Sequence, residues 1–285
     1  MQCPNCRFEN QEASTECLRC GIVFAKYQAR PQHAAVAAPA VENTELRQEL
    51  QYRVLGIPLA LIVARIGVSL SPFLTGFLRM LLHECGHAIT AWLCGYSAIP
   101  GLWFTSMSES PESLVTLMII GILAGVSFWA WKTNRPYLVA ATIGLFIVHL
   151  VCRRLTYERA HALIAFGGDG GALVLGSLLM MTLYVSRESP VYENQLRWGF
   201  LAIGAAAFID TFHTWTGSED NIPFGVQEGA QTDPSQLVEN YGWTIQAMIQ
   251  SYVRLGELCL LAIALIYIVG IIRARKVLVL GTLVE

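Results

Sequence analysis

Two clusters of residues in this chain have the types and spacing of metal ligands. The first is Cys3-Pro4-Asn5-Cys6, followed after ten residues by Cys17-Leu18-Arg19-Cys20-Gly21. Each CxxC turn offers two thiolates to one point, so the pair can close a tetrahedron around Zn²⁺. A polar segment as short as residues 1–27 lacks the apolar surface for a core of its own, and metal binding supplies the missing folding free energy. Four protein ligands close such a site, so its expected role is structural or protein-binding.

The second cluster lies in apolar sequence and reads Leu82-His83-Glu84-Cys85-Gly86-His87. On a helix, residues four apart share a face about 6 Å apart along the axis, so His83 and His87 can both reach one metal ion, with Glu84 beside them. In hydrolytic chemistry a glutamate so placed is the general base toward water, and the metal polarises the scissile carbonyl. Ionisable residues at membrane depth cost on the order of 2 to 3 kcal/mol each unless something compensates, and a metal site does so. A catalytic zinc takes a third protein ligand and keeps one position open. Asp169, in Phe166-Gly167-Gly168-Asp169-Gly170-Gly171, is the expected third ligand. The glycines there suit an irregular turn at the start of an apolar helix, where an N-cap role for the aspartate is the competing reading.

The surrounding composition says what must position these groups. Of 285 residues 54% are hydrophobic and 14% charged, and mean hydropathy is +0.48. Soluble globular and disordered chains are excluded by these values. A net charge of -2 gives no basic field for a phosphate backbone, so nucleic acid is not an expected partner. Seven apolar segments follow, at about 55–71, 73–95, 114–131, 137–152, 170–186, 197–213 and 255–272. The expected fold is an all-α polytopic membrane bundle with a small N-terminal zinc ribbon. Its expected domains are the ribbon (1–27), an Ala/Pro-rich linker with a polar juxtamembrane segment (28–53), the transmembrane domain (54–276) and a tail (277–285).

Charge asymmetry orients the loops. Lys132, Arg135, Arg273, Arg275 and Lys276 mark cytoplasmic ends, whereas residues 214–243 carry five acidic residues and no Lys or Arg and read as outside. The chain start has neither a basic stretch nor an apolar run of a cleavable signal, and reduced cysteines suit a cytoplasmic ribbon. Seven full crossings with an inside C-terminus would put the ribbon outside. One segment is therefore expected not to span, either the first, interrupted by Arg65 and ended by Pro72, or the region from Arg153 to Gly171.

The HECGH helix and the later Asp169-Gly170 pair resemble the HExGH and DG motifs of the site-2 protease family of intramembrane metalloproteases, over roughly residues 73–186. The resemblance implies zinc on His83, His87 and Asp169, Glu84 as catalytic base, and a membrane-embedded protein segment as substrate. It also implies a helical bundle around a water-accessible site in the lipid bilayer, and a bacterial inner-membrane location with the ribbon in the cytoplasm, available to a cytosolic partner. Gly167 and Gly168 replace the family's usual Pro and Asn before the Asp-Gly pair, two apolar segments separate the motifs where an odd number is expected, and the loop 214–243 is too short for a PDZ domain. The alternative is an inactive relative acting as a membrane adaptor through its ribbon.

Other polar residues in apolar sequence are assigned plainer roles. Glu158 and His161 form an isolated ExxH, too little for a diiron site. Asp210 and His213 share a helical face and suit a hydrogen-bonded pair, a proton relay or a substitute ligand. His149 reads as a core histidine, and Arg79 and Glu257 as paired or snorkelling. Gly121 and Gly125 have close-packing spacing. The tryptophans from Trp92 to Trp243 read as interfacial anchors.

Overall fold

In the computed structural model the described residues are 1–24 apart from 4, 7, 10, 12 and 13, then 40–227 and 229–283. Residues 25–27 of the expected ribbon and 28–39 of the expected linker lie outside them. Two units divide the chain, one of residues 1–48 with 276–285 and one of Glu49–Arg275. In the first, the two CxxC turns are parallel constructions. Isolated bridges join Gln2 to Glu9 and Glu16 to Val23, and the Cys3 and Cys17 amides donate to the Phe8 and Ile22 carbonyls, each at 2.9 Å. Gly21 closes the second turn at φ +68°, a conformation that favours glycine.

The second unit is helical, its first and last helices beginning and ending in residues of the first, and the order is α1 (Ala40–Leu70), α2 (Pro72–Leu93), β1 (Ala98–Pro100), β2 (Thr105–Met107), α3 (Ser113–Lys132), α4 (Pro136–Cys152) and α5 (Tyr157–Met181). Then come α6 (Pro190–Glu193), α7 (Leu196–Thr216), β3 (Val226–Gln227), β4 (Ala230–Gln231), α8 (Asp233–Ser235) and α9 (Ile245–Leu283). Each of the seven apolar segments falls in a helix. Among the described residues, four helical stretches are long and apolar enough to cross a membrane: Thr44–Leu70, Ser113–Lys132, Tyr157–Tyr184 and Ile245–Lys276. This is fewer than seven, and the shortfall has physical causes. Helix α2 carries Arg79, His83, Glu84 and His87, α7 carries Arg197, Asp210 and His213, and α4 has only 17 residues, about 25 Å of helix against a hydrocarbon core of about 30 Å.

The two segments expected to be weakest are therefore among the strong ones. Arg65 bonds to Ser69 one turn on within α1, and no break occurs at the glycines of α5. Along α3 only Ala130 is buried, and Leu114, Leu117, Ile122, Phe128 and Trp131 are exposed. So extended an apolar surface matches a lipid environment.

Helix α5 is the most buried helix, packed against α2 and α7, which also touch each other, and glycines permit the close approaches. A Cβ on Gly86 would stand 2.8 Å from the Gly171 Cα and collide with the Gly167 carbonyl. A Cβ on Gly176 would stand 2.9 Å from the Gly204 carbonyl oxygen of α7. Gly121 and Gly125 meet nothing within 4 Å, so the close crossings lie elsewhere than their spacing suggests. Leu173, Met180, Leu201, Phe208 and Ile263 fill the core between α5, α7 and α9. A buried ionic knot ties α1 to α7. Glu49 accepts from Arg53 at 2.7 Å and from Arg197 at 2.9 Å, and Tyr192 donates to it at 3.0 Å.

Candidate metal centre

Four N-terminal cysteines lie close enough to hold a metal ion such as zinc: the sulfur atoms of Cys3, Cys6, Cys17 and Cys20 are all within 4.8 Å of one another. Cys3 and Cys20 are 3.7 Å apart and Cys6 and Cys17 3.6 Å. Tetrahedral zinc with Zn–S bonds near 2.3 Å requires about 3.8 Å between sulfurs, so the spacing fits. At Cys6 a hydrogen bond to the Phe8 backbone lowers the thiol, but burial and the three neighbouring thiols outweigh it and push the pKa up to about 12. A cation among the four sulfurs would favour their ionised form and offset the repulsion that otherwise opposes it.

The second centre starts from α2. Pro72 in its first turn suits helical φ, and the helix then runs unbroken through the HECGH residues. His83 and His87, one turn apart, turn their Nε2 atoms toward each other at 3.1 Å. The third group of this cluster is Asp233, at the start of α8 in the loop between α7 and α9. Its Oδ2 lies 3.1 Å from His83 Nε2 and 3.0 Å from His87 Nε2. Three donors with edges of 3.0 to 3.1 Å approximate the face of a tetrahedron around an ion at 2.0 to 2.1 Å, whose ideal edge is about 3.3 Å. Burial pushes the Asp233 carboxyl up, but the charges and hydrogen bonds of His87 and His83 outweigh it and hold the group well below the ordinary carboxylate range.

Asp169, the third ligand expected from sequence, stands elsewhere. It lies in the middle of α5 rather than at a helix start, so it is neither an N-cap nor part of an irregular turn. Its Oδ1 is 2.9 Å from His83 Nδ1, the ring nitrogen remote from His87 and Asp233, and its Oδ2 accepts from Trp215 Nε1 at 2.8 Å. On the other ligand, His87 Nδ1 faces the Ile164 carbonyl at 2.7 Å. Gly168 leaves the imidazoles their space, since a Cβ there would stand 2.6 Å from His87 Nε2. The glycines around Asp169 thus bring two helices and two rings together.

Glu84 is buried beside the histidines, and Thr105 of β2 donates to its Oε2 at 2.6 Å. These groups line a cavity of about 340 Å³ with Arg79, Trp103, His161, Thr232 and Tyr241. Arg79 lies 3.3 Å from Asp210 and 3.8 Å from Asp169, while Glu84 is held by Thr105 and Asp233 by the two histidines.

Two of the remaining polar residues in apolar sequence have clear neighbours. Asp210 pairs with Arg79 at 3.3 Å, and His149 is a buried core histidine whose Nδ1 meets the Leu93 carbonyl at 3.0 Å. Trp215 is buried, stacked on Tyr252 at 4.0 Å, and so is no interfacial anchor. Sequence reasoning did not single out Asp233. Its available signal was an acid followed by Pro234 in a loop devoid of basic residues, which is too common to stand out.

Comparison with protein-family models, with curated proteins and with solved structures finds no match for this chain.

Proposed function

We propose that this chain is an intramembrane zinc metalloprotease, hydrolysing peptide bonds in membrane-embedded protein segments. The observation that carries the reading is the triangle of His83 Nε2, His87 Nε2 and Asp233 Oδ2 with Glu84 on the same cavity wall. Bound there, zinc would polarise a carbonyl and make water acidic enough to lose a proton near neutral pH. Glu84 receives that proton and returns it to the departing amine, and the Thr105 hydroxyl holds its carboxylate in place. Trp103, Phe104 and Ile164 give the same cavity apolar walls beside its polar floor. A helical substrate hides its carbonyls in its own hydrogen bonds, so the scissile segment must unwind to enter. The closed four-cysteine ribbon serves structure or partner docking, with no reacting position.

Glu84→Gln keeps the size and the ligands and removes the base. Cleavage of a co-expressed membrane substrate is expected to fall about 10² to 10⁴-fold while zinc content stays unchanged. Undiminished cleavage in that variant would remove the protease reading and leave the adaptor role.

A further inference from the structure

Two histidines hold equivalent positions in the proposed centre, yet their outer nitrogens are held differently. His87 Nδ1 meets a neutral peptide carbonyl, whereas His83 Nδ1 meets a buried carboxylate, Asp169, at 2.9 Å. That carboxylate is itself fixed at several points. Trp215 donates to its Oδ2 at 2.8 Å, and Arg79 Nη1 lies 3.8 Å from its Oδ1. Arg79 in turn is held by Asp210 of α7, Nε to Oδ2, at 3.3 Å. The Trp215 ring cannot drift, being stacked on the buried Tyr252.

We propose that Asp169 is the positioning residue of the metal centre, acting through His83, and that Arg79, Asp210 and Trp215 form the frame that holds it. This rests on the metal reading above. A carboxylate on Nδ1–H fixes the tautomer that leaves the Nε2 lone pair free, sets the ring plane and makes the imidazole a stronger donor. Asp169 cannot fill a ligand's place in the same arrangement, because it sits against the opposite ring nitrogen to the one facing His87 and Asp233. The frame runs from α7 through α2 to α5, so the two close glycine crossings that set the helix spacing also set the aim of His83.

The test uses the full chain, purified in detergent and loaded with zinc, and reads the release of the non-ribbon zinc equivalent against a graded chelator. Asp169→Asn keeps the shape and removes the charge. It is expected to retain two zinc per chain and to release the non-ribbon equivalent at 10- to 100-fold weaker chelation. Trp215→Phe and Asp210→Asn are expected to shift release in the same direction by less, while Asp233→Asn retains only the ribbon equivalent. With cobalt in place of zinc, Asp169→Asn is expected to keep the wild-type visible band positions, because the ligand set is unchanged. Release unchanged in Asp169→Asn would overturn the proposal. So would one zinc per chain in Asp169→Asn at saturating metal alongside two in Asp233→Asn, which would make Asp169 the ligand. A single zinc in the wild type would instead defeat the metal reading itself.

Discussion

The cysteine cluster draws its four donors from residues 3 to 20, whereas the histidine cluster draws its three from His83, His87 and the distant Asp233. The first is assembled by two turns that need only local hydrogen bonds and a glycine, and its four sulfurs leave no ligand position open. The second exists only because α2, α5 and the loop before α9 come together, and its three donors face a cavity. Ligands set by turns make a site that can stabilise structure on its own. Ligands set by helix packing make one whose geometry, charge and access the whole bundle controls.

That contrast can be broken in several ways. The largest expected effect is from His87→Ala, which removes a ligand outright. Metal analysis is expected to find the membrane site's zinc gone and the ribbon's kept, with cleavage lost. Gly86→Ala comes next. It puts a Cβ 2.8 Å from the Gly171 Cα, with backbone on both sides, and is expected to destabilise the bundle by at least about 1 to 3 kcal/mol in thermal unfolding. Gly121→Ala, where nothing lies within 4 Å, is the matched control and is expected to leave the unfolding temperature unchanged or slightly raised. Cys17→Ser sharpens the comparison from the other side. It is expected to lose the ribbon zinc, retain the membrane-site zinc and leave cleavage of a short embedded substrate near wild type. Loss of both metals in Cys17→Ser would show that the two sites are not independent.

How far the sequence reveals this arrangement follows from the same contrast. The four cysteines and the pair His83 and His87 are legible as clusters because each CxxC turn, and each turn of a helix, fixes the spacing of its two donors along the chain. The apolar segments are legible as helices because each is long and uniformly hydrophobic. The number able to cross a membrane is not, because the polar residues of α2 and α7 lower their hydropathy and α4 is short. Asp233 escaped notice because nothing in the sequence around it marks a ligand and only tertiary packing brings its oxygen to 3.0 Å from His87. Asp169 is legible as a residue near the HECGH histidines, but which ring nitrogen it faces is not. Its glycines look like a turn in one dimension and are a helix contact surface in three, and that difference places the carboxylate against Nδ1. Trp215 likewise reads as an anchor at a helix end until its indole nitrogen is found on Asp169.

The central claim is that a second metal sits on the HECGH helix with Asp233 completing its ligands. The most direct measurement is zinc per chain in purified wild type and in Asp233→Asn, with the ribbon intact in both. The account predicts two in the wild type and one in the variant; one zinc in both, or two in both, would contradict it.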